Sequence, residues 1–288
     1  MIKKVLFPVD FSMVSEYAFG NCIPKFFSTG VAEELILLHV IDVLPVDAAI
    51  LEAEKELKSK LDKIAKEFSE MGIKTRAVIK IGSPAFEIAK FAEEEDVDLI
   101  YMPSKGENVF RDVLIGTTAS NVARVATKPV LLVKYGWDNA RKVVKCYWNA
   151  RKVFERLFIA LDFSECSEVI VNTIKNIEDY VKEGILFHVV DYGKFEELED
   201  LIKKARMKLE EIAKQFKFNT DISVESGSAP DLILSNAIIE RATLIVVGKV
   251  GRNVLIDLLI GSTADTVIRR SILPVLIVPC KKKKNNKK

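Results

Sequence analysis

The chain has 288 residues, 49% hydrophobic and 29% charged, with 43 Lys and Arg against 41 Asp and Glu. That length predicts about two domains of roughly 140 residues each, and the apolar fraction excludes the disordered, collagen and disulfide-scaffold classes. The longest apolar runs, such as residues 130–133 and 274–279, fall far short of the ~20 residues that cross a bilayer.

In the first half, apolar runs at residues 4–9, 35–41, 73–79, 98–102 and 129–134 are continuous and rich in Val, Ile and Leu. Strands buried on both faces of a parallel sheet carry this pattern. Between the second and third runs, Leu57, Leu61, Ile64, Phe68 and Met71 recur at three- and four-residue steps, which predicts a helix ended by Gly72. A basic stretch, 136–153, follows and holds both tryptophans, Trp137 and Trp148.

The second half then repeats the first. Residues 5–12 (VLFPVDFS) return as 157–164 (LFIALDFS), and 37–40 (LLHV) as 186–189 (LFHV). Residues 98–103 return as 243–248, 115–119 (IGTTA) as 260–264 (IGSTA), and 128–133 (KPVLLV) as 273–278 (LPVLIV). A helix is expected again through Leu198, Leu201, Ala205, Leu209, Ile212 and Phe216. Five strands with intervening helices predict an α/β fold of two tandem, doubly wound, Rossmann-like domains, each a five-stranded parallel sheet. The expected domains are 1–135 and 154–280, with a linker at 136–153 and a disordered Lys-rich tail at 281–288.

Charge follows the same division. The two domains carry −3 and −5, while the linker carries +4 and the tail +6. Neither domain has the basic bias of a dedicated nucleic-acid binder. Absence of a charged start with an apolar h-region predicts a cytoplasmic protein. Cys22, Cys146, Cys166 and Cys280 lie far apart with no Cys-x-x-Cys spacing, which suggests a reducing compartment and argues against structural zinc.

Ligands of doubly wound folds bind beyond the carboxyl ends of the strands. Asp10 and Asp162 close the first strand of each copy, just before Ser12 and Ser164. Each Asp could accept from a ribose hydroxyl or hold a metal; equally, each could be a strand-end turn former beside a helix cap. A more specific signal follows the fourth strand of copy two. There Gly248-Lys249-Val250-Gly251 precedes Gly261-Ser262-Thr263 and a predicted helix. Glycines let backbone approach a ligand closely, and a helix start offers N–H groups, hydroxyls and a positive dipole end to an anion. Lys249 and Arg252 could add charge for phosphates.

The spacing Gly-x2-Gly-x9-Gly-(Ser/Thr) after an apolar strand, with the strand-one Asp and the Leu-Leu-His-Val run, closely resembles the universal stress protein family. The resemblance covers nearly the whole chain as a tandem pair. It implies a stress-response or regulatory protein that binds ATP or AMP, optionally with Mg, and uses no redox cofactor. By position it implies ribose contact at Asp162, adenine contact at the Val189 backbone, and ribose and phosphate contacts at Gly248, Gly251, Gly261, Ser262 and Thr263. The matching positions in copy one are Asp10, Val40, Gly106, Gly116, Thr117 and Thr118. Family members pair through the last strand, so a homodimer or intramolecular pseudo-dimer is expected, with further protein partners unknown.

Copy one departs where the first motif glycine is Pro103. Proline fixes φ and removes a donor, so copy two is expected to be the stronger site and copy one weakened or selective for AMP. No P-loop, dinucleotide fingerprint or nucleophile elbow occurs. His39 and His188 stand at equivalent strand ends, where a structural role is expected rather than a metal pair. No catalytic residue is assigned, and binding is favoured over turnover; a nucleotide-independent scaffold and a weak ATPase are the alternatives. The linker aromatics are expected to pack between the domains, and neither a membrane nor a nucleic-acid partner is expected.

Overall fold

The computed structural model describes residues 1–42, 48–106, 115–190, 198–250 and 259–280; the Lys-rich tail lies outside them. The chain divides into one unit of Met1–Val153 with Ile272–Pro274 and a second of Phe154–Ser271 with Val275–Lys288.

In the first unit, strands β1 (Ile2–Pro8), β2 (Ala32–Ile41), β3 (Lys74–Ile81), β4 (Leu99–Pro103) and β5 (Val130–Val133) alternate with helices. The helices are α1 (Met13–Asn21), α2 (Ile23–Phe27), α3 (Ala48–Glu70), α4 (Pro84–Glu94) and α5 (Thr117–Val125). The five strands pair parallel in the order β3-β2-β1-β4-β5. Consecutive residues Val5, Leu6 and Phe7 are fully buried, as are Leu35, Ile36 and Leu37 opposite them. Burial without alternation means that both sheet faces are covered, which is why these strands read as unbroken apolar runs. Helix α3 ends as its periodicity predicts. Gly72 takes φ +83°, its N–H donates to Ser69 O, and the Ile73 N–H donates to Phe68 O at 3.0 Å. Buried Phe68 and Ile73 complete this left-handed stop.

Residues 136–153, expected from the sequence as a linker, contain regular structure. Strands β6 (Tyr135–Asp138) and β7 (Val143–Cys146) make an antiparallel hairpin counted within the first unit. The Trp148 ring lies 6.3 Å from Tyr101 and 6.2 Å from Tyr135, and Tyr17 meets Tyr135 edge-on. Packing these rings against one another removes apolar surface from water. Cys22 and Cys146 also meet in this cluster. Their mutual hydrogen bond draws the Cys22 thiol below its ordinary range and pushes Cys146 up.

The second unit repeats the plan with β8 (Arg156–Ala160), α6 (Glu165–Lys175), β9 (Glu183–Val190), α7 (Leu198–Ala213) and β10 (Asn219–Ser226). It continues with α8 (Ala229–Ile239), β11 (Leu244–Gly248), α9 (Ser262–Arg270) and β12 (Val275–Val278). Pairing is parallel in the order β10-β9-β8-β11-β12. In both units the chain reverses its direction of travel across the sheet between the first and fourth strands. A crevice therefore opens where their carboxyl ends diverge.

Candidate functional site

The crevice of the second unit is a cavity of about 340 Å³, within the ~300–1,000 Å³ typical of small-molecule sites. Its floor comes from the end of β8 and the corner after it. There Asp162 Oδ1 accepts from the Ser164 backbone N–H at 3.0 Å, the Ser164 hydroxyl at 2.6 Å and the Ser167 hydroxyl at 3.3 Å. Ser164 also caps α6, its Oγ accepting from Cys166 N. The two sequence readings of this Asp are thus compatible, because one oxygen organises the turn while the carboxylate lines the cavity.

Phe163 crosses the corner with φ +59°, and Phe11 does so in the first unit with φ +56°. A left-handed conformation strains any residue with a Cβ. Each phenylalanine is held by a histidine ring, His188 at 4.2 Å and His39 at 4.8 Å between centroids. Each histidine sits with Nδ1 within hydrogen-bond reach of the carbonyl before the Asp, Leu161 O at 2.6 Å and Val9 O at 2.7 Å. These contacts place both histidines in the strand-end role expected of them.

The far wall is the start of α9. Gly261 is its N-cap with φ −64° and ψ 149°, and no side chain caps the helix. Ser262, Thr263 and Ala264 follow on the cavity wall. Their N–H groups precede the first intrahelical bond, from Asp265 N to Gly261 O, and so point out of the helix end. Gly248 and Val189 line the walls between these two ends, and Ala229 and Ile233 of α8 add apolar surface.

Of the sequence-identified residues in copy two, the cavity gathers Asp162, Val189, Gly248, Gly261, Ser262 and Thr263. Gly251 and Arg252 lie outside the described residues. Lys249 is not on the wall, contrary to its expected phosphate role; its side chain is buried. Its N–H donates to Val278 O and its carbonyl accepts from Gly261 N, both at 2.8 Å, and these bonds clamp the residue between β12 and α9. Among the described lining residues there is no Lys or Arg, so an anion there would meet backbone dipoles and hydroxyls.

In the first unit the same backbone frame exists. Ser104 N donates to Val133 O at 2.8 Å and Gly116 N to Ser104 O at 2.7 Å, so Pro103 does not divert the chain. Asp10 is oriented by Ser12 N at 3.0 Å and Ser15 Oγ at 2.6 Å. Gly116 is the uncapped N-cap of α5, with Thr117 and Thr118 exposed behind it and Val40 half-buried at the end of β2. The difference is Gly106, whose backbone lies against the Asp10 carboxylate so closely that a Cβ would overlap it. Asp10 itself remains exposed, whereas Asp162 is half-buried at the second-unit cavity.

Sequence reasoning missed Cys166. It lines the second-unit cavity and forms a disulfide with Cys280, with Cα atoms 5.1 Å apart. The wide cysteine spacing, which suggests a reducing compartment, gives no hint of this pair. Residues 114 positions apart gave no spacing signal, because the fold brings the start of α6 beside the exit of β12. Ala229 and Ile233 were missed too, although they follow a strand end, as every ligand-facing segment of this fold does.

Fold and crevice together define a duplicated, doubly wound α/β protein with a ligand-sized cleft at its switch point. The universal stress protein family model matches residues 1–134 and again 154–279, and the chain belongs to that family. A universal stress protein of Methanocaldococcus jannaschii is 39% identical over 157 residues, spanning 46% of this chain and 96% of the relative. A second from that organism is 34% identical over 145 residues, spanning 46% and 83%. The crystal structure of a universal stress protein from Archaeoglobus fulgidus matches with a TM-score of 0.72 and 24% identity, covering 96% of this chain and 98% of that one. This last likeness concerns the fold.

Proposed function

We propose that the second domain binds an adenine nucleotide, ATP or AMP, and that the protein acts by binding rather than turnover in a stress-response or regulatory role. The observation that supports this reading is convergence. Residues from the ends of β8, β9 and β11 and from the start of α9 meet around one cavity. A ribose hydroxyl donates to the Asp162 carboxylate, whose orientation is set by its serine contacts. The Val189 backbone reads an adenine edge. Phosphate oxygens accept from the leading N–H groups of α9 and from the Ser262 and Thr263 hydroxyls, where the helix dipole favours negative charge. Mg, where ATP brings it, travels on the phosphates; among the described residues no cluster of His, Cys, Asp and Glu gathers to hold a metal ion.

The chemistry of the described wall supports binding over turnover. The titratable side chains on the described wall, apart from the disulfide, are Asp162 and His188. Both are engaged at the strand-end corner, away from the start of α9 where phosphate would sit. Calorimetric titration of the full chain with ATP and with AMP tests the reading. One site is expected whose heat disappears in Asp162→Ala and persists in Asp10→Ala. Absence of heat with either nucleotide, together with no nucleotide released from the purified protein on denaturation, would refute it.

A further inference from the structure

The Cys166–Cys280 disulfide stands where the frame of the cavity is decided. Cys166 is the second residue of α6, 3% exposed, and on the cavity wall. Its backbone N–H donates to Ser164 Oγ at 3.3 Å, and that hydroxyl donates to Asp162 Oδ1 at 2.6 Å. The sulfur-bearing residue is thus two hydrogen bonds from the cavity carboxylate. On its other side lies Gly248, where a Cβ would overlap Cys166 Sγ, so the sulfur has no room to yield in that direction. Cys280 is half-exposed, two residues beyond β12, and its Sγ lies 3.3 Å from Val278 O. Val278 in turn pairs with Gly248. The bond therefore ties the turn that orients Asp162 to the strand pair that carries Gly248.

We propose that this disulfide is a redox control on the nucleotide cavity, the disulfide form binding nucleotide more tightly than the dithiol form. The inference rests on the nucleotide reading above. Two unbonded sulfurs must move apart to van der Waals contact. Because Gly248 blocks Cys166 on one side, the displacement passes into the first turn of α6 or into the exit from β12. The first route loosens the hydrogen bonds that aim Asp162, the second disturbs the Val278–Gly248 pairing behind the cavity wall, and ligand binding must then restore the frame. Pre-ordering a turn of this size changes affinity by about three- to tenfold.

The chemistry is thiol–disulfide exchange with a low-molecular-weight disulfide as oxidant. The thiolate of the more exposed Cys280 attacks one sulfur of the small disulfide, forms a mixed disulfide and expels one small thiolate. The Cys166 thiolate then attacks the Cys280 sulfur, forms the intramolecular bond and expels the second. Two electrons pass to the small disulfide, which leaves as two thiols after taking up the two protons that the cysteines released. A small dithiol reverses both steps.

Linkage requires reciprocity: if the disulfide form binds nucleotide more tightly by some factor, nucleotide must favour the disulfide by the same factor. The test uses the full chain, treated either with a small-molecule disulfide or with dithiothreitol, and titrated with ATP by calorimetry. Alkylation after denaturation reports the thiol count in each state. The expected result is two alkylated cysteines and a Kd about three- to tenfold lower after oxidation, against four alkylated cysteines after reduction. Cys280→Ser should bind as the reduced protein does under both conditions. Saturating ATP should raise the dithiothreitol concentration needed for half-reduction. Equal Kd values despite complete oxidation would overturn the inference and leave the nucleotide reading standing, as would four reactive thiols after oxidation. Loss of ATP binding in both states would overturn the reading and the inference with it.

Discussion

Replacing Gly261 with Asp should move stability and binding in opposite directions. Gly261 has φ −64° and ψ 149°, extended backbone that any residue adopts, so no conformational need fixes glycine there. It is the N-cap of a helix that lacks a side-chain cap. An Asp would accept from the leading N–H groups and add a negative charge at the positive dipole end. These gains are a few tenths of a kcal/mol over glycine for the cap and ~0.3–1 kcal/mol for the charge. The same carboxylate would occupy the N–H groups assigned to phosphate and repel it. Losing two charge-assisted hydrogen bonds at ~1.5–3 kcal/mol each weakens binding by roughly 10²- to 10⁴-fold. Thermal melting without ligand should therefore rise slightly, while calorimetry with ATP should lose its signal. Gly116→Asp, at the matching uncapped start of α5, is the control and should leave the second-domain heat in place. A Gly261→Asp protein that is at least as stable as the parent and still binds ATP with unchanged Kd would refute the phosphate assignment.

Two further outcomes are expected. Lys134 is 7% exposed, and burial, helped by the nearby Lys105 charge, lowers its pKa from 10.5 to about 8. Its folded value is depressed, so the unfolded chain binds more protons between about pH 8 and 10.5 and stability should climb across that window. Lys134→Met should flatten the climb, read by denaturant unfolding at pH 7 and pH 10; an unchanged slope would count against it. Gly106→Ala should cost the first unit only about 0.5 kcal/mol or less, because the Asp10 carboxylate oxygen it meets is the free end of an exposed side chain, and ATP binding in the second should not change. A drop in ATP affinity in that variant would place the site in the wrong copy.

Much of the fold was legible because its strands are buried on both faces, a pattern that survives in single residues such as Val5, Leu6 and Phe7. The repeat then doubled each observation. Half of the site was legible for a similar reason: a strand-end Asp and a Gly-Ser-Thr helix start are local signatures of a turn and of a free helix end. What depends on distance through space was not legible. Lys249 reads as a phosphate ligand by sequence, yet its side chain is buried and it is not among the residues of the described cavity wall. The hairpin after β5 was not legible because each of its strands buries a single residue, Tyr135 and Val144, too few to show a period. The cysteine partners are invisible to any periodicity.

The aromatic cluster on the first unit has a counterpart in the second. By the repeat, Tyr135 corresponds to Cys280 and Val14 to Cys166. One copy thus secures the exit of its last strand by ring contacts among Tyr17, Tyr135 and Trp148, and the other does so with a covalent bond. Duplicated halves that began with one architecture have therefore come to depend on different surroundings. Heat and denaturant challenge the first fastening, whereas the second answers to the electron balance of its medium.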